Sequence, residues 1–299
     1  MSLASSAAQT APRFEPQLAR RKLAGTIFLG ACLAAIGFLL LALLLLLVDV
    51  VTKGLPYLDL DFLTGTPSRR PEQAGVLPAL VGSLEIGLLT GLISFPIGVG
   101  AAVYLEEYAR DTFVNRALRT NIANLAGVPS IIYGIFGLAI FVRALHFGRA
   151  PISAALTLAL LIMPIVIIAT MEALRAVPDT QREAAYALGA TRWQMVRRSI
   201  LPGAAPGIMT AIILAMARAI GEAAPLIVIG GAAFVTFLPT PFQSGFTVLP
   251  IQVYSWAQRP QEAFQGIAGA AILVLLIVML ILNALAIILR ARLSRHLQW

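Results

Sequence analysis

The sequence predicts an all-α polytopic membrane protein with six transmembrane helices, and three observations support this prediction. Hydrophobic residues make up 59% of the 299 residues and charged residues only 12%, against roughly 25% charged residues in an ordinary soluble domain. Apolar runs of about 20 residues, the length that crosses a bilayer, occur six times. The basic residues are concentrated in alternate connections between these runs.

The predicted spans are apolar runs separated by polar connections. They cover residues 23–51, 76–105, 122–142, 152–170, 207–230 and 267–289. The first run is longer than the h-region of a secretory signal peptide, about 7 to 15 residues, and no small-residue cleavage site with a polar mature chain follows it, so we interpret it as a retained span. Residues 1–19 are predicted to be a disordered cytoplasmic tail, and residues 20–299 a single transmembrane domain.

The distribution of basic residues predicts the orientation of the chain. The tail, the second and fourth connections and the C-terminal end carry fifteen Lys and Arg residues, against six in the other three connections. By the positive-inside rule, we expect both termini and the fourth connection on the cytoplasmic side of the membrane. Such a basic balance is typical of membrane orientation, so we expect contact with membrane lipids and no nucleic-acid partner.

Arg218, Glu222 and Glu85 are charged residues that lie well inside the predicted spans. Arg218 is about ten residues beyond Ile208, or about 15 Å along a helix, which places it near the bilayer midplane. A charge there costs roughly 2.5 to 3.5 kcal/mol. We therefore expect it to lie in the bundle interior or a water-filled cavity.

The spacing of Arg218 and Glu222 allows two interpretations. Residues four apart lie on one helix face, so the two can form a self-neutralising pair that locks helix packing. Alternatively, the planar guanidinium of Arg218 binds an anion in transit, and Glu222 positions it. Gly221 and Pro225 flank the pair and predict a kink or break. Glu85 is either a partner for Arg218 or exposed to water.

The fourth connection, residues 171–206, is predicted to have structure of its own. Thr180 with Glu183, and Thr191 with Gln194, have the spacing of capping boxes, which predicts two short helices separated at Gly189. In the second helix, apolar residues recur on one face at Trp193, Val196 and Ile200. This pattern fits either an interfacial helix on anionic headgroups or a docking element for a cytoplasmic partner.

This loop resembles the EAA loop of ABC-importer permeases. The matching positions are Glu183, Ala184, Ala185, Gly189, Leu201 and Pro202. The family usually has an apolar residue where this chain has Ser199. The resemblance implies the type I, MetI-like permease fold, in which the loop contains a coupling helix that inserts into a groove on a separate ATPase subunit.

Four further stretches resemble the permeases of the phosphate-specific transporter. They are "AAVYLEEYA", "LAGVPSIIYGIFGLAIFV", "MEALRAVP" and "ARAIGEAAPL", and the stretch "FTVLPIQVYSWAQRPQEAFQ" looks like the PstA-type subunit rather than the PstC-type one. The resemblance implies a permease for inorganic phosphate in the cytoplasmic (inner) membrane. It further implies a PstC-type permease, two PstB-type ATPases and an extracytoplasmic PstS-type phosphate-binding protein as partners.

The chain is not expected to be an enzyme or to hold a cofactor. Neither Lys22 nor Lys53 has the Gly before it and the Ser or Thr after it that a phosphate-binding P-loop needs, so ATP and Mg would be used by the partner ATPase. No metal site is expected, since His146 has no Cys, Asp or Glu beside it.

Three other functions fit the sequence less well. An ABC permease for sulfate, molybdate or phosphonate would keep the loop and change the cargo. An ion-coupled secondary transporter could carry a proton on Glu222 or Glu85, but it would leave the two-helix loop without a role. A membrane scaffold for phosphate sensing would leave Arg218 without a cargo.

Overall fold

The computed structural model describes residues 18–232, 234–242 and 245–295. Most of the predicted disordered tail, residues 1–17, lies outside the described residues. Helix α1 begins at Leu18, so the last two residues assigned to the tail are helical. The chain divides after Asp49 into two units, and each is described separately.

Helix α1 (Leu18–Gly54) contains the first predicted span. Its 37 residues correspond to about 56 Å, more than the roughly 30 Å of a bilayer core. Up to Asp49 its apolar side chains are mostly exposed in the isolated chain. Such a surface is expected for a helix in lipid, because the lipid tails are as apolar as the Leu and Ile side chains that contact them.

Three short helical segments follow α1 before the next span, and the last of them is the 3₁₀ turn Pro71–Gln73. The 3₁₀ turn Leu55–Tyr57 leads to α2 (Leu60–Thr64), where the Asp59 carboxylate caps the helix by accepting a 2.7 Å hydrogen bond from the Phe62 backbone N–H. Phe62 is buried, with its ring centroid 6.0 Å from that of Trp256. This contact anchors the segment on the C-terminal helices.

Helices α3 (Leu77–Val103) and α6 (Pro151–Arg175) form the centre of the second unit and contain the second and fourth predicted spans. Small residues allow the two helices to approach closely. A Cβ added to Gly98 would lie 2.8 Å from Val166 Cγ1. The buried Thr90 hydroxyl donates a 3.3 Å hydrogen bond to the Ala155 carbonyl.

The third predicted span, residues 122–142, is bent and not one continuous helix. The structure has α4 (Phe113–Ala126) and α5 (Ser130–Gly137), and α5 continues through a π-helical turn to Ala144. The two parts are bent by 103°. Gly127 and Pro129 lie at the bend, where the proline disfavours helical geometry at Val128.

The fifth predicted span is divided between α9 (Leu201–Gly221) and α10 (Ala224–Ile229). Before it, α7 (Asp179–Ala187) and α8 (Arg192–Met195) form the fourth connection. The predicted break near Gly221 and Pro225 is therefore confirmed. Helix α10 packs against α5, where a Cβ on Gly134 would lie 2.7 Å from Pro225 Cα.

Helices α11 (Leu249–Ala257) and α12 (Glu262–Arg295) complete the chain, and the sixth predicted span lies within α12. Over the described residues, five helices are long and apolar enough to cross a membrane, or six if the bent pair is one span. We call the end of the second unit that carries α7 the α7 end, and the opposite end, which carries α2, the α2 end.

Candidate functional site

The end of α9 carries the charged pair singled out in the sequence. Arg218 lies in the last turn of α9, and Glu222 is the first residue after it. Arg218 Nε lies 3.7 Å from Glu222 Oε1, which is an ion pair but too long for a hydrogen bond. The structure gives the Arg218 guanidinium no hydrogen bond to any described residue, so its donors are available to a ligand.

The break that follows Arg218 has a local cause. Pro225 has no N–H to donate to the carbonyl of Gly221, and the chain becomes extended at Glu222, with φ −82° and ψ 122°. The pair therefore spans a helix end rather than one continuous helix face. Gly221 is the last helical residue, and no described atom lies within 4 Å of where its Cβ would be.

One face of α9 is buried and another is uncovered. Ala215 and Ala219 are buried against the core that contains Ile162 and Val166 of α6. Leu214 is 63% exposed as a whole residue. Four residues further on, the Arg218 side chain is 44% exposed. Arg218 thus lies on a face of α9 that the described part of this chain leaves open to water or to a partner.

Glu85 does not belong to this pair. Both of its carboxylate oxygens are buried, and neither has a hydrogen-bond partner among the described residues. Among the described residues, Arg218 forms its ion pair with Glu222 and Glu85 makes no hydrogen bond to it, so these contacts support neither expectation for Glu85, a partner for Arg218 or a side chain exposed to water. The place of Glu85 in the substrate pathway stays a prediction.

The fourth connection forms a two-helix loop at the α7 end. Its first helix, α7, begins at Asp179 after Pro178 without a side-chain cap, so the predicted capping box of Thr180 and Glu183 is wrong. The second capping box is confirmed. The Gln194 N–H donates to Thr191 Oγ1 at 3.3 Å, and the Thr191 N–H donates to Gln194 Oε1 at 2.8 Å.

Gly189 separates the two helices, as the sequence predicts. It has φ +75°, in the left-handed region that favours glycine. The Gly189 N–H donates to the Tyr186 carbonyl at 2.9 Å and the Ala190 N–H to the Ala185 carbonyl at 3.0 Å. These are the two hydrogen bonds of a Schellman motif, which fixes the direction of the chain after α7.

The second helix of the loop differs from its prediction. It continues from α8 through a π-helical turn, Val196–Ile200, directly into α9. Leu201 and Pro202 therefore lie in the first turn of α9 instead of closing a separate segment. The π-helical turn ends at Ile200, two residues before Pro202, which cannot donate a backbone hydrogen bond.

The two-helix loop exposes large apolar side chains on its outer surface. Val196 and Ile200 are buried, but Trp193 is 57% exposed and Leu188 is 89% exposed. Glu183 and Ala184 are also exposed, whereas Ala185 is half-buried. The exposed surface thus combines a small side chain, Ala184, with two large apolar side chains, Leu188 and Trp193. Exposed apolar side chains grouped in this way are typical of a protein interaction site.

Sequence reasoning missed the inner anchor of this loop. Arg182 Nη2 donates a 2.8 Å hydrogen bond to Glu107 Oε1, which lies directly after α3. The hydrogen bond with Glu107 raises the pKa of the Arg182 guanidinium above its usual value, so the side chain stays charged. The two adjacent glutamates of "YLEEY" were the available signal, but their partners are distant in sequence.

A bundle of membrane-spanning helices, with an interrupted span that presents a guanidinium and a structured loop at one end, defines a membrane permease. The comparisons with known proteins give its family. Residues 94–299 match the family described as "Binding-protein-dependent transport system inner membrane component". The chain belongs to this family, and it is the non-catalytic membrane subunit of an ABC importer, in which a separate subunit is the ATPase.

Two curated relatives carry the same name, phosphate transport system permease protein PstA. The one from Mycobacterium leprae is 37% identical over 246 residues, covering 80% of each chain. The one from Yersinia pestis is 34% identical over 276 residues, covering 91% of this chain and 92% of the relative. The predicted resemblance to this group of permeases is confirmed.

A solved structure shows the same fold. The chain is similar to the inward-facing MetNI methionine ABC transporter, with a TM-score of 0.57 and 21% identity, over 75% of this chain and 96% of that one. The predicted MetI-like fold is therefore confirmed. The chain is a multi-pass membrane protein that works with other components of an ABC transporter.

Proposed function

We propose that this chain is the permease subunit of an ATP-driven importer of inorganic phosphate. The observation that carries the proposal is the name shared by the two relatives above, which match this chain over most of its length. The open guanidinium of Arg218 suits such a cargo, because its planar fork can donate two parallel hydrogen bonds to phosphate oxygens.

The position of Glu222 gives this site the weak binding that a permease needs. At 3.7 Å, the carboxylate attracts the guanidinium without occupying its donors through a hydrogen bond. It also repels an incoming phosphate. Glu222 would therefore hold Arg218 in place and lower the affinity of the site, so that phosphate leaves the site as readily as it enters.

The partners follow from the two ends of the bundle. The α7 end is basic, and by the positive-inside rule it faces the cytoplasm, with both termini on that side. There the exposed residues of the loop would insert into a PstB-type ATPase, which binds ATP and Mg. A PstC-type permease would lie opposite the open face of α9, across the pathway, and a PstS-type binding protein would deliver phosphate at the α2 end, outside the inner membrane.

The test of this proposal is uptake of radiolabelled phosphate at low phosphate concentration. Cells that lack this gene receive either the wild-type chain or Arg218→Ala, both with the remaining subunits. We expect the wild-type chain to restore uptake that arsenate inhibits and sulfate does not. We expect Arg218→Ala to abolish uptake while the subunits still co-purify.

A control variant distinguishes the loss of this guanidinium from the loss of any positive charge. Arg116 forms an ion pair with Asp111, and both side chains are mostly exposed, so Arg116→Ala should leave uptake unchanged. Normal uptake by Arg218→Ala would contradict a role in the pathway and leave the pair a packing role. Competition by sulfate, molybdate or phosphonate would contradict the assignment of phosphate as the cargo.

A further inference from the structure

The π-helical turn Tyr104–Tyr108, which we call the acidic turn, connects α3 to α4, α6, α7 and α8 at the α7 end. Glu106 accepts hydrogen bonds from Arg119 of α4 at 3.2 Å and from Arg175 at the end of α6 at 2.9 Å. The Arg192 guanidinium of α8 lies 5.1 Å from the Tyr108 ring centroid. The acidic turn is therefore the junction between α3 and the two-helix loop.

The strongest connection in this junction joins Glu107 to Arg182 of α7. The Glu107 side chain is 6% exposed and that of Arg182 is 19% exposed. Arg182 also donates to the carbonyls of Leu174 and Val177, at 3.0 and 2.9 Å, where α6 ends. Because the pair is largely removed from water, separating it would leave a buried charge without a partner, so α7 and α3 are held together.

Near its middle, α3 contacts α9 on both sides of Arg218. A Cβ on Gly87 would lie 3.4 Å from Ile220 Cγ1, and one on Gly91 would lie 3.4 Å from Met216 Sδ. The 27-residue α3 helix thus runs from the acidic turn to the segment of α9 that carries the candidate anion site. A displacement of α7 can reach Arg218 through contiguous packed contacts.

From this geometry we propose that Glu107 and Arg182 form the link through which movement of α7 is transmitted along α3 to the site at Arg218. Both are positioning residues, since neither lies at the site itself. The inference rests on the proposed function and deepens it. Glu183 is exposed on the outer surface of α7, where it would contact the ATPase. Glu107 instead pairs with Arg182 on the inner side of α7, so its role is to transmit movement within the chain.

The test uses the complete complex in proteoliposomes, with Glu107→Gln, Arg182→Gln and the double variant. We expect the phosphate transported per ATP hydrolysed to fall about fivefold or more in each single variant, within the usual range of coupling between sites. The double variant should be no worse than either single variant, because both remove the same link. The ATPase should co-purify in the wild-type amount.

A second readout does not depend on the identity of the cargo. Leu214 lies four residues before Arg218 on the exposed face of α9 and is 63% exposed. In a chain with Cys32→Ser and Leu214→Cys, maleimide labelling at position 214 should change with ATP. We expect Glu107→Gln to abolish this change. Arg116→Gln, in an exposed pair at the same end, should preserve it.

The outcomes separate the inference from the proposed function. Unchanged coupling and labelling in the Glu107 and Arg182 variants would overturn the link. A loss of transport that only follows a loss of bound ATPase would also overturn it, because the pair would then merely stabilise the loop. ATP-dependent labelling without phosphate uptake by the wild-type complex would contradict phosphate as the cargo, while labelling of the variants would still decide the link.

Discussion

Gly189 shows how a single residue sets the geometry of the loop. Its φ of +75° costs an L-amino acid with a Cβ roughly 1–2 kcal/mol, although no described atom lies within 4 Å of where that Cβ would be. The requirement for glycine here is therefore conformational and not steric. It follows that residues able to adopt left-handed geometry should be tolerated better than other residues of similar or smaller size.

We predict that Gly189→Ala destabilises the end of α7 by about 1 kcal/mol and that Gly189→Asn does so by less, because asparagine adopts the left-handed region more readily. The measurement is hydrogen exchange at the amides of residues 188–190, where Gly189 and Ala190 donate the two bonds of the motif. Equal exchange in both variants would contradict the conformational explanation. Gly189→Pro should be worst, since it fixes φ near −65° and removes a donor.

Ion pairs between residues close in sequence could be predicted from the sequence, and ion pairs between residues far apart in sequence could not. Arg218 and Glu222 are four residues apart, so their pairing is a short-range property. Glu107 and Arg182 are 75 residues apart, and only the tertiary packing brings them together. The surroundings of Glu85 likewise depend on how α3 packs, which the sequence does not give.

At the scale of the helices, apolar runs located the spans but not their interruptions. Residues 122–142 form a continuous apolar run, and yet the chain bends by 103° inside it. Gly127 and Pro129 were visible in the sequence as signals for a break. The bend was not predicted because hydrophobicity measures where a chain can enter lipid and says little about backbone direction.

Two glycines of α3 give a test of close packing between α3 and α6. We predict that Gly98→Ala destabilises the protein by roughly 1–3 kcal/mol, since its Cβ would lie 2.8 Å from Val166 Cγ1 and the branched side chain cannot easily move. Gly100 lies two residues further along the same helix, with no described atom within 4 Å of its Cβ position.

The measurement compares the fraction of each variant that stays monodisperse after heating in detergent. Gly100→Ala should equal or exceed the wild-type protein in this assay, because alanine favours a helix by up to about 1 kcal/mol over glycine. Equal losses in both variants would show that α3 tolerates no added methyl group in general. The contact with Val166 would then not be the cause.

For the whole molecule, the described chain leaves open the surfaces that an assembly would cover. Arg218 lies on an uncovered face of α9, and the loop at the α7 end exposes Leu188 and Trp193. A solitary transporter would have to bury its cargo site within one chain. The open site and the structured loop are therefore more consistent with a subunit of a larger, externally driven complex than with an ion-coupled secondary transporter.

We predict accordingly that uptake by the complete complex depends on ATP and not on a proton gradient. In proteoliposomes supplied with ATP on the α7 side, a protonophore should leave the initial rate of phosphate uptake unchanged, and removal of ATP should abolish it. Arg218→Ala provides the background rate. If the protonophore stopped uptake while ATP remained, a carboxylate such as Glu222 would have to carry a coupled proton, and Glu222→Gln would then remove the pH dependence of transport.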